Sequence, residues 1–186
     1  MEAMAGEVTH LLGQVSQGNA QAEDQLVRLV YAELKSVAKN KLRSLSNGAT
    51  LTPTVLVHEA YFRVFRANGI PLRNRKHLFF AFAQAMWRIV VEHQRRKHMG
   101  QTGDGLENLE CYAQSVQEDV LDLDAVLIGF RLEHPREYEV LMLRKTLGFS
   151  IEETAELLDT SSATVKRDWA FAKAELSRKL NAGVRP

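Results

Sequence analysis

Hydrophobic positions recur at helical spacing along most of the chain. Between Ala20 and Lys41 an apolar side chain follows every three or four residues, which places these side chains on one face of an α-helix. The same spacing predicts a shorter helix from Val8 to Val15, and Gly18-Asn19 separates the two. Because strand-type alternation is absent from the sequence, the pattern predicts an all-α protein.

Two more helices are predicted in the first half of the chain. Thr52 suits the N-cap of a third helix and Pro53 suits its first position, and this helix ends near Asn68-Gly69. A fourth, roughly from Lys76 to Lys97, is the most apolar in the chain. These helices form a predicted N-terminal module of residues 7–99.

The second half is predicted to form a separate helical module over residues 119–182. Its apolar spacing predicts helices near 119–133, 136–147, 150–158 and 162–181. Residues 100–118 begin with three glycines and contain no Lys or Arg, which is typical of a linker. We therefore expect two small helical modules joined by an acidic flexible linker, the second one a helix-turn-helix.

Charge is segregated along the chain, although the net charge is only +1. Residues 1–99 hold 14 Lys and Arg against 7 Asp and Glu, whereas residues 100–186 hold 10 against 16. Residues 160–186 are basic again, with six bases and two acids. Two basic bodies around an acidic connector suit a polyanion with two binding sites, although solvated helix faces would give the same count.

The segment from Ser150 to Leu180 has the pattern of a helix-turn-helix. Ser150 and Glu153 can form a capping box, and Asp159-Thr160-Ser161 supplies a tight turn before the next helix. That helix carries an apolar stripe at Val165, Trp169, Ala172, Leu176 and Leu180. An αα-hairpin that merely packs is the alternative interpretation.

The opposite face of the second helix is polar and basic at its N-terminal end, which is the end that a recognition helix presents to the major groove. The candidate DNA contacts on this face are Ser161, Ser162, Thr164, Lys166, Arg167 and Lys173. Ser and Thr can bind either base type, so these residues predict no target sequence.

Four motifs in order resemble the extracytoplasmic-function (ECF) sigma factors. SIEETAELLDTSSATVKRDWAFAKAEL resembles the promoter-reading helix-turn-helix of that family, and REYEVLMLRKTLGFS resembles the helix before it. PTVLVHEAYFRVFR resembles the helix that docks on RNA polymerase, and HLFFAFAQAMWRIVVEHQRRKH the helix that faces the −10 element. TPTVLVHEAY and TVKRDW are most similar to a branch of short ECF-like factors.

The resemblance implies a polymerase-docking surface on the third helix, which meets the β′ clamp helices. The corresponding residues are His58, Glu59, Tyr61, Arg63, Phe65 and Arg66. From spacing alone, Tyr61 and Phe65 can equally be core residues, whereas Glu59, Arg63 and Arg66 share the other face. The family further implies the β flap as a polymerase contact, promoter DNA as a partner, and an anti-sigma protein as an inhibitor.

The resemblance also implies a −10 surface on the loop before the fourth helix and on that helix. Its candidates are Asn68, Arg73, Asn74, Arg75, Lys76, Arg88, His93, Arg95, Arg96 and Lys97. Trp87 could stack on a flipped base, but so apolar a helix favours a core tryptophan. The short loop and the lack of an aromatic cluster beside the basic end argue against strand melting by stacking alone.

Catalysis, metal binding and membrane insertion find no support in the sequence. His58-Glu59 lacks the second histidine of a zinc-protease motif, and the glycines at 100–105 lack the Gly-Lys-Ser/Thr of a phosphate loop. The single cysteine, Cys111, excludes an internal disulfide. The longest apolar run, 78–91, is too short for a span, and the N-terminus lacks a secretory leader. We expect a cytoplasmic protein with no enzymatic activity, cofactor, metal or membrane partner.

The sequence thus predicts a sigma factor that reads the −10 and −35 elements on core polymerase and binds DNA weakly without it. One alternative is a stand-alone helix-turn-helix regulator, which predicts a dimer and half-sites about one helical turn apart. No dimerisation helix is obvious after Leu180. The other is a helical adaptor that binds only protein, which would leave Lys166, Arg167 and the cluster at 95–97 without a function.

Overall fold

The computed structural model of the protein describes residues 2–43, 51–66, 72–100 and 123–183. All regular secondary structure within these ranges is α-helix, as the hydrophobic spacing predicts. The helices are α1 (Glu2–Ser16), α2 (Ala20–Arg43), α3 (Pro53–Arg66), α4 (Arg75–Gly100), α5 (123–133), α6 (Pro135–Thr146), α7 (Ile151–Leu157) and α8 (Ser162–Gly183). We call α1–α4 the N-terminal module and α5–α8 the C-terminal module.

Side-chain caps set where the first helices begin. Gly18 has a φ of 83° in the turn after α1, and Asn19 Oδ1 then accepts from the backbone amides of Gln21 (3.0 Å) and Ala22 (3.1 Å). Thr52 Oγ1 accepts from the amide of Val55 at 3.3 Å, which confirms the predicted cap of α3. These bonds use amides that the first helical turn leaves unpaired.

The core of the N-terminal module lies where α1 packs on α2, α2 on α3, and α3 on α4. Leu26, Leu56 and Phe82 are each at most 1% exposed there. Removing such a side chain from water stabilises the fold by roughly 1.5–3 kcal/mol, so this stripe holds the four helices together.

The predicted apolar stripe on α8 packs into the C-terminal module. Val165 and Ala172 are fully buried and Leu176 nearly so, while Trp169 and Leu180 are only partly buried. Pro135 begins α6, where its missing amide costs no hydrogen bond. The predicted boundaries of α6, α7 and α8 are confirmed to within two residues.

The two modules pack against each other through α4 and α6. Phe79 meets Phe149 edge-on with ring centroids 5.3 Å apart, and Phe80 meets Tyr138 at 6.0 Å. Buried side chains of both modules form one continuous cluster. A flexible linker permits either docked or separated modules, and the structure has them docked.

Parts of the sequence-based prediction lie outside the described residues. These parts are residues 101–118 of the predicted linker with Cys111, the candidate Asn68, and Ser46-Asn47-Gly48, whose turn-type residues predict the end of α2. None of the described helices is long and apolar enough to cross a membrane.

Candidate nucleic-acid interface

A capping box begins α7, and a tight turn joins α7 to α8. Ser150 Oγ accepts from the Glu153 amide at 3.0 Å, and Glu153 Oε2 accepts from the Ser150 amide at 2.7 Å, as predicted. Asp159 then adopts a φ of 51°, a left-handed conformation that Asp tolerates better than most residues. The Thr160 amide donates to the Ala155 carbonyl at 2.9 Å and closes the turn.

Ser161 is the N-cap of α8. Its Oγ accepts from the Thr164 amide at 3.1 Å and lies 2.9 Å from Thr164 Oγ1. Two hydroxyls predicted to face DNA are therefore already bonded to each other. Ser162 and Thr164 remain half-exposed, and Ser161 is exposed.

The cations predicted on α8 all reach the surface. Lys166, Arg167 and Lys173 are exposed. Lys173 Nζ lies 5.6 Å from the ring centroid of Trp169, and Arg144 Cζ lies 4.7 Å from the same centroid. The quadrupole of an indole ring attracts cations that lie over its face. The Trp169 ring therefore helps to hold Lys173 and Arg144 in place on this basic part of the surface.

An ion pair with a buried carboxylate joins α8 to α6, and sequence reasoning missed it. Asp168 Oδ2 accepts from Arg136 Nε at 2.8 Å and Nη2 at 2.6 Å, and the Asp168 side chain is only 4% exposed. Arg167 Nε lies 3.7 Å from the other carboxylate oxygen. The only sequence signal was an isolated acid among basic residues of the helix.

On α4 the candidate −10 residues have different surroundings. Arg88, Arg95 and Arg96 are exposed, Lys76 and His93 are half-buried, and Arg73 is exposed in the preceding segment. Lys76 Nζ is 2.8 Å from Glu139 Oε2. Arg95 Nη2 is 3.0 Å from Asp124 Oδ2, and Arg96 Nη2 is 4.0 Å from Glu92 Oε2.

Two candidates at the start of α4 have structural contacts. Asn74 Oδ1 accepts from the His77 amide at 2.9 Å and so caps α4. Arg75 Cζ lies 5.0 Å from the Phe79 ring centroid. The side chain of Lys97 lies outside the described residues.

Trp87 is 7% exposed, which confirms the expectation of a core tryptophan. Its Nε1 donates to Asp124 Oδ1 at 2.8 Å, so its polar end is paired with a residue of the other module. Leu123 and Leu127 of α5 line a cavity of about 410 Å³ together with Trp87. The tryptophan therefore lies between the modules, not within the N-terminal one.

On α3, the two charged candidates Glu59 and Arg63 make intramolecular contacts. Arg63 donates from Nη1 and Nη2 to the two Glu92 oxygens at 2.8 and 2.6 Å, and from Nη2 to Glu59 Oε1 at 2.7 Å. These bonds raise the pKa of Arg63 and lower that of Glu92, chiefly through the Arg63–Glu92 hydrogen bond. Glu59 and Arg63 thus fix α3 against α4.

The two aromatic candidates on α3 are packing residues, as their spacing allowed. The Tyr61 hydroxyl donates to a Glu23 carboxylate oxygen. The Phe65 ring lies 5.0 Å from that of Tyr61 and 6.2 Å from that of Phe82, measured between centroids. The side chain of Arg66 lies outside the described residues.

The exposed face of α3 is apolar, and sequence reasoning missed most of it. Val55 and Phe62 are 49% and 57% exposed, and exposed His58 lies between them at helical spacing. Beside this face, α2 and α3 form a groove of about 420 Å³ lined by residues including Tyr31 and Leu34. The sequence signal for this face was the i, i+3, i+7 spacing of Val55, His58 and Phe62, which places them together on the side of α3 that faces away from the core.

Residues 5–182 match the family model described as ECF sigma factor. The chain belongs to the ECF sigma factor family. The match covers nearly the whole chain and confirms the resemblance of the four motifs. No curated protein matches the chain significantly.

Membership in the ECF sigma factor family establishes a role in transcription initiation, in a family of non-enzymatic, DNA-binding regulators. This ECF sigma factor has one group of residues with metal-ligand atoms close together among its described residues: Glu133, His134 and Glu175, with ligand atoms within 4.8 Å. Lys179 Nζ lies 2.7 Å from Glu133 Oε2 and 4.0 Å from Glu175 Oε1. Since an ammonium already compensates these carboxylates, we interpret the group as an ion-pair network.

Proposed function

We propose that this ECF sigma factor binds core RNA polymerase in the cytoplasm and directs it to promoters through contacts with the −10 and −35 elements. One observation carries the proposal: the family match spans both helical modules in a single chain. A stand-alone regulator would need only the C-terminal module. An adaptor would need neither of the DNA-facing surfaces.

The −35 contact is assigned to α8. Lys166 and Arg167 lie on its first two turns, are exposed, and can bind phosphates on either side of the major groove. Ser162 and Thr164 are placed to reach base edges, while the buried Asp168–Arg136 pair holds the helix on α6. The hydrogen bond between the Ser161 and Thr164 hydroxyls stabilises the start of α8.

The −10 contact is assigned to α4 and the segment before it. Arg88, His93, Arg95 and Arg96 follow one another along the C-terminal half of α4, and Arg73 precedes the helix. A row of cations suits the backbone of a single strand, with a salt-dependent affinity. Trp87 adds a stacking surface only if its cover by α5 is removed.

The polymerase contact is assigned to the apolar face of α3. Val55 and Phe62 offer exposed apolar side chains to the β′ clamp helices, with exposed His58 between them, and a large exposed aromatic is a typical interface anchor. Glu59 and Arg63 transmit the docked position of α3 to α4 through Glu92. The β flap for the C-terminal module and an anti-sigma protein as inhibitor remain proposals carried over from the family.

Transcription by a reconstituted enzyme tests this function. The full chain and core polymerase are supplied with fragmented genomic DNA, and the 5′ ends of the transcripts are mapped. We expect start sites that depend on the chain and share two upstream elements. Lys166→Glu together with Arg167→Glu should abolish these transcripts, because the reversed charges repel the phosphates.

A matched control changes the same charge elsewhere. Lys39→Glu with Lys145→Glu reverses two exposed cations outside α4 and α8 and should leave transcription largely intact. Transcripts that survive Lys166→Glu and Arg167→Glu would exclude the role of α8. A tight sequence-specific complex of the chain with duplex DNA, without polymerase, would favour the stand-alone regulator.

A further inference from the structure

A cleft of about 320 Å³ lies between α4 and the first two helices of the C-terminal module. It is lined from α4 by Gln84, Trp87 and Arg88, and from the C-terminal module by residues that include Arg131 and Tyr138. Sites that hold small organic ligands have volumes of roughly 300–1,000 Å³. The cleft is therefore large enough for a compact ligand.

Tyr138 brings an unused hydrogen-bonding group to this cleft. Its side chain is 7% exposed, and its ring packs edge-on against that of Phe80 with centroids 6.0 Å apart. Its hydroxyl nevertheless makes no hydrogen bond to any of the described residues. A tyrosine hydroxyl usually has a partner when it is buried, because burial has removed it from water. A ligand in the cleft would supply that partner.

Two guanidinium groups lie near the same hydroxyl. Burial raises the pKa of Tyr138, and the positive charges of Arg131 and Arg88 oppose this shift. Arg131 Cζ lies 6.0 Å from the centroid of the Tyr138 ring. Both arginines are exposed, and neither forms an ion pair with a described residue. Since their like charges repel each other, an anion placed between them would be attracted by both.

The carboxylate in the cleft does not neutralise these arginines. Asp124 Oδ1 accepts from Trp87 Nε1 at 2.8 Å, and Asp124 Oδ2 pairs with Arg95 Nη2 at 3.0 Å. Both oxygens thus have partners other than Arg88 and Arg131. Two guanidiniums and a phenol form a donor set that suits phosphate, because Arg can donate two parallel N–H bonds to phosphate oxygens and the phenol O–H adds a further donor.

The rest of the cleft suits a flat and largely apolar group. Leu127 lines it, and so do Ile128 and Leu132, whose side chains are 62% and 81% exposed. A ring bound against these side chains would remove apolar surface from water. The Gln84 amide makes no hydrogen bond to a described residue and can both donate and accept. A nucleobase has this combination of an apolar face and a polar edge.

We propose that the cleft is a nucleotide-binding site, in which the phosphate lies between Arg88 and Arg131 and accepts a hydrogen bond from the Tyr138 hydroxyl. The base lies against Ile128, with Gln84 at its polar edge. Because the volume is at the lower end for ligand sites, it suits a nucleoside monophosphate better than a larger polyphosphate.

A bound nucleotide would also affect promoter recognition. The proposed function assigns Arg88 to the −10 element, so the phosphates of the nucleotide and of DNA would compete for the same guanidinium. This consequence rests on the proposed function, whereas the nucleotide site itself does not. We expect the nucleotide to act as an inhibitor of transcription.

Calorimetry tests the site directly on the full chain without polymerase. AMP, GMP, CMP and UMP are titrated separately, and we expect at least one of them to bind with a submillimolar Kd. The corresponding nucleoside, ribose 5-phosphate and inorganic phosphate should each bind at least roughly tenfold more weakly, because each lacks either the phosphate or the base.

Two variants locate the bound nucleotide in the cleft. Tyr138→Phe keeps the ring that packs on Phe80 and removes only the hydroxyl, so the free energy of unfolding should not fall, whereas the affinity should fall roughly tenfold. Arg131→Gln removes one guanidinium and should weaken binding at least about tenfold. Lys39→Gln is the matched control, because it removes one exposed charge from α2, outside the cleft.

Four results would each overturn the nucleotide site. The first is that none of the four nucleotides binds. The second is that inorganic phosphate binds as tightly as the best nucleotide, which would indicate a site for an adventitious ion only. The third is an affinity that neither Tyr138→Phe nor Arg131→Gln changes. The fourth is a single strand of five deoxynucleotides that binds more tightly than any nucleotide and depends on Arg131, which would assign the cleft to DNA.

Transcription by the reconstituted enzyme tests the competition for Arg88. The nucleotide should reduce transcripts made with the wild-type and Lys39→Gln chains, and roughly tenfold more should be needed with Arg131→Gln. Undiminished transcription at a saturating concentration would overturn the competition. If the chain gives no transcripts without nucleotide, the proposed function fails instead, and calorimetry still decides whether the cleft binds nucleotides.

Discussion

Arg136 and Asp168 form a two-bonded ion pair in which the acid is buried and the base is not. Both guanidinium bonds go to Asp168 Oδ2, at 2.8 and 2.6 Å, and the side chains are 53% and 4% exposed, respectively. The pair holds the second turn of α8 against the start of α6. Because the two side chains differ in exposure, removing one of them should cost a different amount of unfolding free energy from removing the other.

We expect Arg136→Ala to destabilise the protein more than Asp168→Ala. The first change leaves a buried carboxylate with only the distant Arg167, whereas the second leaves a half-exposed guanidinium that water can solvate. The loss should be about 3 kcal/mol for Arg136→Ala and about 1.5 kcal/mol for Asp168→Ala. Urea unfolding measures both, and a larger loss for Asp168→Ala would contradict this account.

Ser161 lets the stability of α8 be separated from its DNA contact. Ser161→Ala removes the cap on the Thr164 amide and should cost about 1 kcal/mol of unfolding free energy. Ser161→Asp keeps a good cap, and its charge suits the helix N-terminus, so stability should be retained. The same carboxylate at the proposed DNA-facing end should nevertheless strongly reduce promoter binding by the reconstituted enzyme.

Thermal unfolding and promoter binding by the holoenzyme are both measured for the two Ser161 variants. Glu152→Asp, at an exposed position in the first turn of α7, serves as the control for handling and expression. A Ser161→Asp protein that binds promoters normally would show that the N-terminus of α8 does not approach DNA.

Local features of the fold were predictable from the sequence, whereas contacts between distant residues were not. Thr52 and the Ser150–Glu153 capping box follow from bonds within four residues of each other, and their residue types are specific. Arg63–Glu92 joins residues 29 positions apart, and Trp87–Asp124 joins residues 37 apart. Such pairs depend on how helices cross, which periodicity does not encode.

The same limit applies at the candidate sites. Glu59 and Arg63 are candidates for polymerase contact because they share the polar face of α3, and only the fold shows that Arg63 is bonded to Glu92 of α4. Val55 and Phe62 were missed because an apolar residue in a helix is ordinarily read as core. Exposure of an apolar side chain depends on the neighbouring helices, so only the fold shows it.

The Arg63–Glu92 pair predicts an acid-dependent loss of stability. The pKa of Glu92 is lowered in the folded protein from a usual value of 4.5, chiefly by hydrogen bonding to Arg63. The folded state therefore binds fewer protons than the unfolded one in this range, so the contribution is complete above pH 4.5 and is lost as the pH falls through the lower folded pKa. The stability difference between wild type and Glu92→Gln should shrink there.

Urea unfolding of both proteins between neutral and acid pH checks this dependence. Glu7→Gln, at an exposed position on α1, should parallel the wild type throughout. If Glu92→Gln instead differs from wild type by a constant amount down to the lowest pH at which both fold, the pair does not act as an ion pair.

Phe62 is the sharpest test of the polymerase-docking face, because its ring is 57% exposed and its loss should not affect the core. Phe62→Ser should weaken binding of the chain to core polymerase at least tenfold, about 1.4 kcal/mol, as expected for an aromatic anchor of an interface. Fluorescence anisotropy of the labelled full chain measures this affinity.

Leu132→Ser is the matched control, since Leu132 is 81% exposed and lies on α5. Because both substitutions replace an exposed apolar side chain with the same hydroxyl, equal losses would indicate a non-specific hydrophobic contribution. A loss confined to Phe62→Ser would place polymerase on α3, on the side of the N-terminal module that α6 leaves open.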